Sequence, residues 1–114
     1  MNTLGSEAEN IAAIYLQQQG LTLLDRNYQS RYGEIDLIMR DGKCLVFIEV
    51  RLRSNTGFGG AAMSITPSKQ QKIIRTAEQY LQKHGNANCR FDVILMSKAS
   101  KDGLEWIQNA FDAG

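Results

Sequence analysis

Residues 32–53 read YGEIDLIMRDGKCLVFIEVRLR, and this stretch limits the folds open to the chain. It predicts two β-strands joined at Asp41-Gly42-Lys43. The second strand, Leu45 to Val50, is apolar except for Glu49. Continuous apolar strands are usual where both faces of a sheet are covered. A carboxylate in such a strand is costly unless it is paired, hydrogen-bonded or bound to a metal. Glu49 therefore requires partners, and the neighbouring strand is the nearest source.

Side chains alternate across a strand, which places Glu34, Asp36, Ile38 and Arg40 on one face. Leu45, Phe47, Glu49 and Arg51 share a face of the next strand. With Gly42-Lys43 as a two-residue turn, Asp36 lies opposite Glu49 and Glu34 opposite Arg51; Gly at the first turn position suits a type II′ hairpin. With Asp41-Gly42 as the turn, Glu34 faces Glu49 and Asp36 is its diagonal neighbour. Both registers gather three carboxylates and a guanidinium on one patch. A three-residue loop would send one set to the other face.

Carboxylates held this close repel, and one takes up a proton unless a cation intervenes. Mg²⁺ suits such a site, because it accepts oxygen ligands and is often held by one or two carboxylates with substrate phosphates and water. The competing expectation is an ion-pair network in which Arg51 neutralises Glu34 and Glu49.

Asp36 followed by Glu49-Val50-Arg51 resembles the D…(D/E)xK signature of the PD-(D/E)xK, or restriction-endonuclease-like, nuclease superfamily. The longer string GEIDLI…VFIEVR, with RFDVI further on, is similar to the YraN-like family of uncharacterised bacterial proteins assigned to that superfamily. The resemblance covers nearly the whole chain. It implies a restriction-endonuclease-like core, with Asp36 and Glu49 as metal ligands and Glu34 in support. Glu9 matches the family's first-helix glutamate and becomes a third candidate ligand. Lys69 matches a lysine on the helix after the second hairpin strand, with Gln70 beside it; both could assist at a phosphate, or both could be surface residues. Arg51 stands where the superfamily usually has Lys. Arginine keeps its charge and cannot act as a base, yet it can stabilise charge on a phosphate.

Charge is unevenly distributed. The net charge is +1, but residues 51–90 hold seven basic residues against Glu78 alone, whereas residues 1–50 hold four basic and seven acidic ones. A basic segment beside an acidic cluster is what a phosphate-binding surface next to a metal requires; the plainer expectation is a solvated basic helix. Arg31, Arg53, Lys72 and Arg75 are the candidate nucleic-acid contacts. His84 is the one histidine, so a site built from several histidines is excluded. Cys44 and Cys89 form no CxxC pair and are expected as buried free thiols. No apolar run reaches membrane-spanning length, and a cytoplasmic protein is expected.

In chain order, Ser6-x-x-Glu9 reads as a capping box opening a helix that Gly20 ends. A strand is expected over Leu21 to Tyr28 and a polar loop over Gln29 to Gly33. Leu52 to Ile65 reads as irregular, with Phe58 either anchoring it or stacking on a base. Thr66-Pro67 marks a helix start, and Gly85 its end. Ile73, Ile74, Ala77, Tyr80 and Leu81 form its apolar stripe. Strands follow at Phe91–Met96 and Leu104–Ile107, and Asp92 is expected to pair with Arg90 or cap a nearby element.

The expected fold is α/β, one domain over residues 1–114: a mixed sheet flanked by helices, in the order α-β-β-β-α-β-β. A helix between Arg51 and Phe91 permits a crossover that makes the third and fourth strands parallel neighbours. The expected function is a Mg²⁺- or Mn²⁺-dependent nuclease, or a nuclease-derived nucleic-acid-binding protein. No base-reading element is visible, so branched, flapped or single-stranded DNA is favoured over sequence recognition. A homodimer is expected by analogy with related junction-cleaving enzymes. The alternative is a non-catalytic protein-interaction module that keeps the fold.

Overall fold

A computed structural model describes residues 4–52, 65–97 and 102–112. The elements are α1 (Leu4–Gln18), β1 (Thr22–Ser30), β2 (Gly33–Asp41), β3 (Cys44–Leu52), α2 (Pro67–His84), β4 (Cys89–Met96) and β5 (Glu105–Phe111). The five strands form one sheet in the order β1-β2-β3-β4-β5. The β1–β2, β2–β3 and β4–β5 pairs are antiparallel and β3–β4 is parallel. This is the mixed sheet and the α-β-β-β-α-β-β order expected from the sequence.

The central hairpin takes the first of the two registers. Asp41 pairs with Cys44 and Leu37 with Ile48, so Gly42-Lys43 is the two-residue turn. Gly42 adopts φ +62°, as the first position of a type II′ turn demands. Helix α2 begins as read: the Thr66 hydroxyl accepts from the Lys69 N–H at 3.1 Å, and Pro67 opens the first turn. Such a cap contributes about 1 kcal/mol. At the other end the Gly85 N–H donates to the Leu81 carbonyl at 2.8 Å, with Gly85 at φ +100°.

The start of α1 corrects the expected capping box. The helix already spans Leu4 and Gly5, so Ser6 lies inside it rather than at its cap. β1 is displaced too, running from Thr22 through Ser30, so the expected polar loop shrinks to a tight turn at Arg31-Tyr32. β5 extends to Phe111, beyond the expected Ile107.

Helices cover both faces of the sheet. Beneath α1, Ala8, Ala12 and Leu16 pack on Leu37, Met39, Val46, Ile48 and Ile94. Beneath α2, Ile73, Ile74, Ala77 and Tyr80 pack on Ile38, Phe47, Phe91 and Val93. β3 thus feeds both cores, Val46 and Ile48 to one and Phe47 to the other, which explains its apolar run. Burying each such side chain contributes about 1.5–3 kcal/mol. Along β2 strict alternation breaks at Ile35, which packs under α2 rather than with Leu37 and Met39. Cys44 and Cys89 are free and half-buried rather than buried. Among the described residues no helix is long and apolar enough to cross a membrane.

Candidate active site where the central hairpin parts

The recorded β2–β3 ladder ends at Leu37–Ile48. The next positions on the two strands are Asp36 and Glu49. In place of a ladder bond here, the Val50 N–H donates to the Asp36 carboxylate at 2.8 Å. Asp36 therefore acts as a strand's carbonyl would, which fixes its position. Glu49 is 6% exposed and lies on the α2 side, where the first turn of α2 brings Lys69 over it. Lys69 Nζ is 3.6 Å and Arg51 Nη1 3.5 Å from the same oxygen, Glu49 Oε2. Both cations are partly open to solvent, with side chains 41% and 38% exposed.

Burial is the largest influence on both acids. Asp36 is pushed up from 3.8 to about 8, first by loss of water and then by the charge of Glu49. The Val50 N–H opposes this, while Glu9 and Glu34 add to it. Glu49 is also raised by burial, against the pull of Lys69 and Arg51 and a hydrogen bond with Asp36. With Asp36 raised to about 8, the pair retains a proton at neutral pH, the cations on Glu49 notwithstanding.

The structure brings together Asp36, Glu49, Arg51 and Lys69 from the sequence-derived set. Glu34 is exposed, paired across β1 with Gln29, and reaches Asp36 through its charge. It does not join Asp36 and Glu49 in one buried patch, because alternation along β2 breaks next to it at Ile35. The Gln70 side-chain amide donates to the Ile65 carbonyl at 3.0 Å, so it secures the chain entering α2. Glu9 accepts from Asn27 Nδ2 at 3.0 Å, which ties α1 to β1. Among the described residues no three Asp, Glu, His or Cys side chains converge to hold a metal, so the Asp36–Glu49–Glu9 triad is not assembled.

Asp36 and Glu49 on their own do fit a hard divalent ion. They offer adjacent carboxylate oxygens, and the proton they share is what such an ion would displace. Mg²⁺ or Mn²⁺ needs no more than one or two carboxylates when phosphates and water complete the shell.

Of the candidate nucleic-acid contacts, Arg53 falls outside the described residues, as does Phe58. Arg31, Lys72 and Arg75 are exposed and lie together where the β1–β2 turn meets α2. Sequence reasoning missed Tyr32, which sits between them. The Arg31 and Arg75 guanidinium carbons lie 5.1 and 5.6 Å from its ring centroid. Its signal was an aromatic residue beside arginine in a polar turn. Sequence reasoning also missed the grip of Asn27 on Glu9, which joins residues 18 apart.

The profile of Uncharacterised protein family UPF0102 matches residues 8–96. A UPF0102 protein of Methylobacillus flagellatus is 58% identical over 113 residues, covering 99% of this chain and 100% of that protein. A UPF0102 protein of Nitrosomonas europaea is 58% identical over 109 residues, covering 95% of this chain and 92% of the relative. Among solved structures, the EndoMS–dsDNA2 complex matches with a TM-score of 0.42 and 19% identity, over 87% of this chain and 40% of the longer one. That last likeness is too distant to bear on function.

Proposed function

The chain belongs to the UPF0102 family, and from its acidic site we propose that it is a divalent-metal-dependent phosphodiesterase acting on nucleic acid. One observation carries this reading: half-buried Asp36 and buried Glu49 lie side by side, with two partly solvent-exposed cations over Glu49. A purely structural ion pair would leave each carboxylate matched to a cation. Here, among the described residues, Asp36 takes the Val50 N–H and a hydrogen bond with Glu49, and the cations gather on Glu49.

Asp36 and Glu49 would hold the ion, with Glu34 and Glu9 adding negative potential from further out. The ion would supply Lewis-acid charge beside a scissile phosphodiester. Arg51 and Lys69 face the same side and would hold the non-bridging phosphate oxygens, stabilising charge that builds on phosphorus. Arg51 keeps its proton throughout, so it serves as an electrostatic clamp and not as a base. Gln70 contributes at one remove, by fixing the first turn of α2 that carries Lys69. The described elements include no base-reading helix pair or zinc finger, which favours DNA recognised by its structure, as a branch, flap or single strand.

Cleavage of labelled branched, flapped, single-stranded and duplex DNA with Mg²⁺ or Mn²⁺ tests this. Wild type should cut, and both Asp36→Asn and Glu49→Gln should fall to background while Arg51→Lys retains activity. A wild type that neither cuts nor binds any of these substrates overturns the reading. It would leave the second one, a non-catalytic interaction module that keeps the fold.

A further inference from the structure

We propose that the groove beside α2 is a track for single-stranded nucleic acid, with Tyr32 as the platform on which one unpaired base stacks. This deepens the phosphodiesterase reading and takes the ligand's chemistry from it, but it stands on different residues.

Two concavities meet at Tyr32 and Arg75. One, of about 640 Å³, runs toward Gln82; the other, of about 400 Å³, runs toward Ser68. From Ser68 to Gln82 the helix covers roughly 21 Å at its usual rise per residue. The charged groups lining the two are Arg31, Lys72 and Arg75 against Glu78. A basic groove with an aromatic ring in it is the mark of a single-strand site: cations follow the backbone, and the ring takes a base face. A duplex hides its base faces and would use the cations alone.

The ring is held ready. Arg31 Nη2 donates to the Tyr32 hydroxyl at 3.0 Å, and both guanidinium groups lie within cation–π range of the ring. The backbone beneath is tied down as well. The Tyr32 N–H donates to Ser30 Oγ at 3.0 Å, and Ser30 Oγ is bonded to Thr76 Oγ1 at 2.8 Å. Thr76 is fully buried and donates to the Lys72 carbonyl at 2.8 Å. The β1–β2 turn is thus fastened to α2, and Tyr32 pays little ordering entropy on binding.

The track also leads to the acidic pair. Lys72 sits one turn along α2 from Lys69, whose ammonium is 3.6 Å from Glu49. A strand whose base rests on Tyr32 would carry its backbone past Lys72 to Lys69 and the two carboxylates.

The test is fluorescence titration of a single strand carrying 2-aminopurine, with divalent ions chelated so that nothing is cut. Wild type should bind and quench the probe. Tyr32→Ala should bind about tenfold more weakly with the quench lost, while Tyr32→Phe matches wild type. The salt dependence should be unchanged in Tyr32→Ala and shallower in Arg75→Gln. Duplex affinity should not respond to Tyr32→Ala. A Tyr32→Ala protein that binds and quenches like wild type overturns the platform while leaving the phosphodiesterase reading standing. A loss shared equally by single strand and duplex overturns it too. Wild type that binds no nucleic acid removes both.

Discussion

Two aspartates on the sheet, Asp92 buried and Asp36 half-buried, are treated in opposite ways. Asp92 on β4 is 1% exposed and surrounded by donors. Arg90 Nε reaches its two oxygens at 3.1 and 3.2 Å, Trp106 Nε1 donates at 2.9 Å, and the Asn109 N–H donates at 2.9 Å. Arg90 in turn binds Asp41 at 3.1 Å, which ties the hairpin end to β4. Asp36 on β2 has one backbone N–H and three carboxylates acting against it. A buried acid that is fully supplied with donors holds a fold together. One that is raised to about 8 beside a second acid works against the fold, and such groups concentrate at functional sites.

The same isosteric change should therefore have opposite signs at the two positions. Asp92→Asn takes the charge from Arg90 and turns amide hydrogens toward other donors. It should lower unfolding free energy by about 3 kcal/mol, read as a shift in urea midpoint at constant slope. A neutral result there would erase the contrast. Asp36→Asn should raise stability at pH 7, by on the order of 1–2 kcal/mol, because the folded amide is neutral without taking up a proton, whereas folded Asp36 must, and its amide oxygen can still accept from Val50.

pH sharpens the comparison next. The folded Asp36 holds its proton up to about pH 8, whereas an unfolded aspartate releases it near 3.8. Between those values the native state binds more protons than the unfolded one, so stability must fall as pH rises across the window and level off above it. Glu49 is raised as well and adds to the same slope. Urea titrations from pH 4 to 9 should show this decline in wild type and a much flatter profile in Asp36→Asn. Millimolar Mg²⁺ or Mn²⁺ should restore part of the lost stability at pH 8 and none in Asp36→Asn. A wild-type profile that rises through this range would mean that Asp36 ionises normally.

The smallest effect belongs to Lys69. Its side chain is 41% exposed, and water screens its attraction to Glu49. Lys69→Met should change stability by no more than about 0.5 kcal/mol at pH 7. It should nonetheless steepen the pH decline, because Glu49 loses the stronger of its two Coulombic attractions.

Much of this arrangement was legible in the chain. Two hairpin registers were open, and the one adopted has Gly42 at positive φ as the first turn residue; α2 followed from Thr66-Pro67 and Gly85, because turns and caps are decided by neighbouring residues. The meeting of Asp36 and Glu49 followed from that register and strand alternation. What escaped was set at longer range. Ser6 looked like a cap, but α1 begins earlier and Glu9 turns to Asn27 on β1. Alternation predicted Glu34 within the acidic patch, yet the sheet breaks its rhythm at Ile35 as β2 leaves β3. Asp92 was expected to pair with Arg90 or cap a nearby element, and it does bind Arg90; the bonds to Trp106 and Asn109 depend on where β5 lies and carry no local mark.

The irregularities in the sheet bear on how copies of this protein meet one another. Its outer strands are β1 and β5. β1 has a register shift between Leu23 and Asp25 and a left-handed Asn27 at φ +51°. β5 faces a shift between Phe91 and Val93 and has a left-handed Asn109 at φ +54°. The two ladders between β2, β3 and β4 carry no such break. A straight rim invites another chain to add a strand, and bulged rims resist it. Both open borders of this sheet are crimped, so two molecules cannot readily zip their sheets into one, and crowding should favour contact through helices or turns over strand-by-strand growth into aggregates.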